Sequence, residues 1–147
     1  MGYHNRHRND VPYRYYADLL EMAADVNTLV VVVPGNAQTY HLVDAGVLRA
    51  QGPDSVLVNV GRGPVVDEPA LIAALRDGTI LSAGLDVYED ETHVPQELLE
   101  LDNAVLLPHV ASASVPTRLA MGQRVVDNLA AWFATGRALT PVPAPVG

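Results

Sequence analysis

The sequence predicts an α/β fold with a doubly wound parallel sheet. Short, continuous apolar runs alternate along the chain with segments of helical periodicity. Runs of this kind suit strands covered on both faces, as parallel strands usually are. Their alternation with helices argues for βα units rather than a meander.

The elements are read in order. Tyr3–Asn5 is taken as the end of a first strand. Tyr16–Asp25 carries Leu19, Leu20, Ala23 and Ala24 on one helical face. Thr28–Val33, "TLVVVV", is β-branched and stops at Pro34-Gly35. Asp44–Ala50 is a short helix, and Ser55–Val60, "SVLVNV", is a strand ending at Gly61. Pro69–Arg76 follows Asp67-Glu68, with Pro near its start and Gly78 just past its end. That is the expected asymmetry of helix termini. Leu81–Tyr88 and Ala104–Leu107 are further strands, making five. Val115–Thr135 is the longest helix, with Leu119, Met121, Val125, Val126, Leu129 and Trp132 as its apolar positions. The tail "TPVPAPVG" cannot continue a helix and reads as extended.

Composition narrows the function. The 147 residues suit a single domain, and a hydrophobic fraction of 49% is ample for a core. There is no cysteine, which removes disulfides, thiolate metal ligands and thiol nucleophiles. The net charge is −8 and all nine cations are Arg, a poor balance for nucleic-acid binding. No apolar run approaches a membrane span, and the N-terminus lacks a signal-peptide pattern. A soluble cytoplasmic protein is the default expectation. His4 and His7 have ligand-like spacing, but they lie at a strand end without a third ligand, so no metal site is expected.

Three strand ends carry chemistry. "VNVGRGPVVDE" ends a strand in Gly-Arg-Gly. Its glycines let backbone approach a ligand, and Arg62 projects from the carboxyl edge, where open α/β sheets bind ligands. A guanidinium there can clamp a carboxylate, or it can be a solvated Arg in a glycine turn. "AGLDVYEDE" places Asp86 inside an apolar run, where a carboxylate needs partners. Glu89, Asp90 and Glu91 follow, either as an exposed acidic loop or as partners to a base. "VLLPHVASAS" puts His109 beside small residues that leave room for a ligand. It reads as a proton donor near neutral pH or as a hydrogen-bonded structural His. Three complementary polar residues at neighbouring strand ends are harder to explain by chance than any one alone.

These blocks, with "LDNAVLLPHVASAS" and the helix running to "WFATGRALTPVP", resemble the D-isomer-specific 2-hydroxyacid dehydrogenases, nearest their glyoxylate/hydroxypyruvate reductase branch. The resemblance implies roles. Arg62 would hold the substrate carboxylate and keto oxygen. His109 would be the acid/base, with Glu91 its paired carboxylate. Asp86 would lie near the nicotinamide carboxamide. Pro34, Val60, Gly61 and Ala111 would line the cofactor. The implied reaction is hydride transfer between NAD(P)H and a small 2-keto acid, with Arg62 opposing charge on the carbonyl oxygen.

The family pattern also has parts that this sequence lacks. No G-x-G-x-x-G occurs, and "VGRGPVV" does not fit that spacing. "MGYHNR" resembles the end of a second Rossmann strand. The expectation is therefore an incomplete Rossmann-like sheet without its first strand and Gly-rich loop. With strand order 3-2-1-4-5-6 the absent strand is central, and the remainder falls into groups 2-3 and 4-5-6 around an empty slot. Unpaired edges and bare apolar faces should follow. Residues 1–114 would form the partial NAD(P)-binding domain. Residues 115–137 would be a helix returning to a substrate domain, and residues 138–147 an extended tail. A homodimer, or association through exposed edges, is expected.

Two functions remain open: a dehydrogenase active within a longer or complemented protein, and a non-catalytic remnant or partner-dependent cofactor-binding module. The first residues bear on the cofactor. A second Rossmann strand ends where the adenosine ribose is read, by an acid for NAD or by Arg for NADP. Asn5 stands where the acid would be, followed by Arg6, so NADP(H) is favoured over NAD(H). The alternative is a solvated basic turn.

Overall fold

The computed structural model describes residues 1–142. The chain divides into one compact unit, Met1–His109, and a second beginning at Val110.

The first unit holds two parallel sheets. In the smaller, β1 (Gly2–His4) pairs with β2 (Arg14–Tyr16), Tyr3 opposite Tyr15. His4 Nδ1 lies 3.0 Å from the Tyr16 carbonyl. The connecting loop folds on itself, with Tyr3 Oη and Asn9 exchanging hydrogen bonds of 2.8 and 2.9 Å. Helix α1 (Leu19–Asp25) follows. Asp18 caps it, its carboxylate accepting from Leu20 N at 2.8 Å.

The larger sheet has order β3-β4-β5-β6, from Thr28–Val31, Val56–Asn59, Ser82–Leu85 and Ala104–Leu106. The connections run through α2 (Ala45–Gln51), α3 (Glu68–Asp77) and the short α4 (Gln96–Leu99). Asp44 and Asp67 cap α2 and α3, and Gly78 closes α3 in the left-handed conformation at φ 77°. The core fills one face of this sheet. Leu29, Val31, Leu57, Ala83 and Leu85 pack there with Val47 and Leu48 of α2 and Leu71 and Leu75 of α3.

Burial on both faces, the sequence expectation, does not hold. The alternate residues form a row across all four strands, Val30–Val58–Gly84–Val105. Its outer members are open, Val30 at 52% and Val105 at 64% exposure. The runs are apolar on both faces because both are built for covering, but only one is covered within this unit.

Among the described residues the strand count is six, not five. The missed element is β2, whose "RYY" shows no apolar alternation. Thr28–Val31 is the edge of the larger sheet, so the divide falls between β1 and β3. The small sheet leans on α1 through Arg14, which bonds Asp25 at 2.6 Å and lies 4.4 Å over the Tyr16 ring. Tyr16 Oη also donates to Asp25.

The second unit is dominated by α5 (Val115–Thr135). Ser114 caps its start, and Gly136, at φ 71°, donates its N–H to the Trp132 carbonyl at 2.8 Å. No residue of α5 is buried, and Leu119, Val125, Leu129, Trp132 and Phe133 are all open to solvent. An apolar stripe on a helix marks a face meant for packing. Past the helix, Thr140 N and the Asn128 side chain bond at 3.0 Å, returning the chain along α5. Of the expected tail, residues 143–147 lie outside the described residues.

Candidate active site

Strands β4, β5 and β6 end in register, Asn59 beside Leu85 beside Leu106. Their next residues therefore share one edge, and that brings Arg62, Asp86 and His109 to the same side of the sheet.

Arg62 leaves β4 through a tied loop. Asn59 Oδ1 accepts from Gly61 N at 3.0 Å, and Asn59 Nδ2 donates to the Arg62 carbonyl at 3.1 Å. The single buried Asn thus fixes both sides of Gly61. A 3-10 turn, Gly63–Val65, then leads to α3. The Arg62 guanidinium donates to the Gly61 carbonyl at 2.6 Å, and among the described residues no carboxylate pairs with it. It borders a cavity of about 460 Å³ shared with Gly35, Asn36 and Tyr40. An unpaired, always-charged fork beside a cavity is suited to a carboxylate ligand.

His109 follows β6 with φ 53°, a left-handed position unusual for a side-chain-bearing residue. Its Nδ1 lies 2.8 Å from the Glu91 carboxylate. A carboxylate at Nδ1 accepts the proton there and leaves Nε2 to exchange protons with a ligand. The pair lines a cavity of about 330 Å³ with Tyr88, Leu99 and Leu107. Tyr88 Oη donates to the Leu107 carbonyl at 2.9 Å, tying the end of β5 to the end of β6.

Asp86 is buried, its N–H donating to the Asn59 carbonyl at 3.0 Å. Val60 N–H bonds the Val31 carbonyl at 3.1 Å, and Gly61 lies so close to Val33 that a Cβ would crowd its carbonyl. Asn5, Arg6 and Pro34 come together on a cavity of about 730 Å³ with His4, Gln38 and Thr39. Arg6 makes no ion pair among the described residues. Ala111 lies in the second unit and is exposed.

A polar cluster beside the site has no signature in the sequence. The Tyr40 and His41 rings stack at 3.9 Å, and His41 Nε2 lies 3.2 Å from Glu89. The Glu89 N–H donates to Glu68 at 3.2 Å. Glu89 stands far from both His41 and Glu68 in the chain, so no spacing rule could have paired them. Burial pushes the Glu68 carboxyl above its ordinary value of 4.5, Glu89 and Asp90 add to the rise, and the Glu89 N–H opposes it. Between 4.5 and that raised value the folded state holds more protons than the unfolded chain, so this group's contribution to stability falls as pH rises through the window. Glu68→Gln should remove that slope. Melting curves of both proteins from acid to neutral pH should diverge, with the variant the more stable at neutrality. Parallel curves would show that Glu68 is solvated.

A sequence profile described as "D-isomer specific 2-hydroxyacid dehydrogenase, NAD binding domain" matches residues 1–111. The chain belongs to the D-isomer-specific 2-hydroxyacid dehydrogenase family. It is 49% identical to a glyoxylate/hydroxypyruvate reductase A of Arabidopsis thaliana, over 97% of this chain and 46% of that protein. A 2-ketogluconate reductase of Gluconobacter oxydans is 41% identical, over 97% and 46%. Among solved structures, an NADPH-dependent glyoxylate/hydroxypyruvate reductase of Sinorhizobium meliloti, in complex with NADP and malonate, superposes with a TM-score of 0.89. It is 58% identical, over 96% of this chain and 44% of that one. The chain spans about half the length of the relatives it matches. As a family member it supplies an α/β NAD(P)-binding domain, and no helix among the described residues is long and apolar enough to cross a membrane.

Proposed function

We propose that this chain provides the cofactor-binding and acid/base side of an NADP(H)-dependent reductase of small 2-keto acids, of the glyoxylate or hydroxypyruvate type. The observation that carries the proposal is the Glu91–His109 pair at a strand edge that also presents an unpaired Arg62. A bound nicotinamide would supply the hydride. Arg62 holds the substrate carboxylate and draws charge onto the keto oxygen. His109 gives a proton from Nε2 to that oxygen, and Glu91 holds the imidazole upright and steadies its cationic form. Asp86, Val60, Gly61 and Ala111 are proposed to border the nicotinamide side, with Pro34 and Asn5 toward the adenosine side. The unpaired Arg6 fits a 2′-phosphate, since a charge-assisted bond to it needs a cation not already committed.

The second reading is a module that binds cofactor only with a partner. The separation of the two sheets favours it, because the large cavity spans the ends of both. A chimera tests the first reading: this chain replaces the matching part of the S. meliloti reductase, and NADPH oxidation is followed with glyoxylate and hydroxypyruvate. Turnover of either is expected. In the same chimera Arg6→Asp should weaken NADPH by about tenfold to a hundredfold, the worth of one hydrogen bond to a charged group, while sparing NADH. A well-folded chimera without turnover would leave the module reading standing. An unchanged NADPH-to-NADH ratio would remove Arg6 from the cofactor site.

A further inference from the structure

We infer that His41 is a positioning residue of the proposed reaction: its main chain anchors the loop that carries Arg62, and its side chain anchors the loop that presents Glu91 to His109. The inference rests on the reading of His109 as the proton donor. His41 acts through Glu91, not on the substrate.

His41 stands between the two loops. It lies in the connection from β3 to α2, beside the bridge that pairs Val43 with Val66. Its N–H donates to the Pro64 carbonyl at 2.9 Å, and the Val43 N–H donates to the Val65 carbonyl at 3.0 Å. The backbone here is thus stitched to the chain just after Arg62. The side chain reaches the other way. Nε2 lies 3.2 Å from the Glu89 carboxylate, and Nδ1 lies 3.7 Å from Asp67. Glu89 is held a second time, because its N–H donates to the buried Glu68. With backbone and side chain both tied, Glu89 is a fixed point for the residues after it. Asp90 then turns the chain. Its carboxylate accepts from Thr92 N at 2.9 Å and from Thr92 Oγ1 at 2.7 Å, and its carbonyl accepts from His93 N at 3.1 Å. Glu91 lies within that turn, its side chain 44% exposed. Packing does little to hold so open a carboxylate, so its place opposite His109 depends on the anchors before and after it.

The backbone supplies an independent observation. Among the described residues two non-glycine positions have positive φ, His41 at 49° and His109 at 53°. Side-chain-bearing residues adopt that region where their surroundings hold them, and such positions gather at functional sites. Both are histidines, and each faces a carboxylate of the same loop, Glu89 or Glu91. The stacked Tyr40 ring sets the plane of the His41 imidazole. Core packing does not account for this arrangement, because the carboxylates that His41 pairs with are part-exposed.

The test has two arms. In the isotope-labelled 147-residue chain, ring nitrogen signals report which nitrogen of His109 carries the proton, and they are identified by their loss in His109→Gln. The native ring should be protonated at Nδ1, facing Glu91. His41→Ala should relax that preference, so that the Nε2-protonated form appears. His41→Gln keeps a donor for Glu89 and should retain it. Both variants place a Cβ at the same left-handed position, so backbone strain cancels between them. In the S. meliloti chimera, His41→Ala should lower kcat by about tenfold to a hundredfold, the usual effect of displacing a reacting group by about an ångström. KM for the keto acid should change little, because the main-chain bond to Pro64 survives. In a Glu91→Gln background His41→Ala should cost nothing more, as expected of residues that act as a unit. If His41→Ala does not fold, Glu89→Ala removes the same tie from its other end and is read in its place. An unchanged His109 ring, an equal loss with His41→Gln, or a kcat loss that persists in full without Glu91 would each overturn the inference. A native ring without its proton on Nδ1, or a parent chimera without turnover, would instead remove the dehydrogenase reading, and the inference with it.

Discussion

Gly63→Ala should destabilise the first unit by about 3 kcal/mol, at the upper end of the range for overpacking a core. The melting temperature should fall by roughly 10 °C for a domain of this size. Gly63 is buried, and a Cβ built on it would overlap the Tyr88 carbonyl and crowd Glu89 N. Both obstacles are main chain. A flexible side chain could swing aside, but here one loop must move as a body. On one side that loop is held by Asn59 to the Arg62 carbonyl, and on the other Tyr88 is held to the Leu107 carbonyl. The added methyl therefore wedges apart the strand ends that carry Arg62 and Glu91. Gly122 provides the control. It sits in α5, where a Cβ meets nothing, so Gly122→Ala should be neutral or stabilising by up to about 1 kcal/mol through helix propensity. Thermal melts of the two variants should therefore move apart. Similar melts would mean that the Gly63 contact relaxes at little cost.

The same packing shows what could and could not be read in the chain. The helix between Pro69 and Gly78 was legible because its start and stop are written locally, and the apolar strands were legible too, though not which of their faces is covered. Arg62, Glu91 and His109 could be singled out because each follows an apolar run, and parallel strands bring such ends together. Other features depend on contacts distant in sequence. β2 is three residues of Arg and Tyr, held by pairing with β1 and by the Arg14–Tyr16–Asp25 cluster on α1. The reason Gly63 must be glycine lies in Tyr88, which no local rule connects to it. Glu68 reads as an ordinary acid in the first turn of a helix, yet it is buried and accepts the Glu89 N–H. The bare face Val30–Val58–Gly84–Val105 has another origin. Its residues are those of an interior strand layer, and the sequence wrote them for a covering that this unit does not contain.

In the S. meliloti chimera, His109→Gln should lower kcat for keto-acid reduction by about a hundredfold to ten-thousandfold, the usual worth of a positioned proton donor. Glutamine can still hydrogen-bond but cannot deliver a proton at neutral pH. The His109 side chain is 45% exposed, so its replacement should leave the fold and the melting temperature nearly unchanged. The KM for the keto acid should change little, because substrate holding is assigned to Arg62. Glu91→Gln should cost less, since the imidazole keeps its place at the end of β6 and loses only the carboxylate 2.8 Å away. Arg62→Lys tests the complementary part. It keeps the charge but loses the planar fork, so KM should rise with kcat falling alongside. The pattern across the three variants carries more than any one value. A kcat loss at His109, a smaller loss at Glu91 and a mixed effect at Arg62 correspond to a donor, its support and a substrate clamp. If His109→Gln retained kcat, the proton would have to come from another group, and the Glu91–His109 pair would be a structural tie between the ends of β5 and β6.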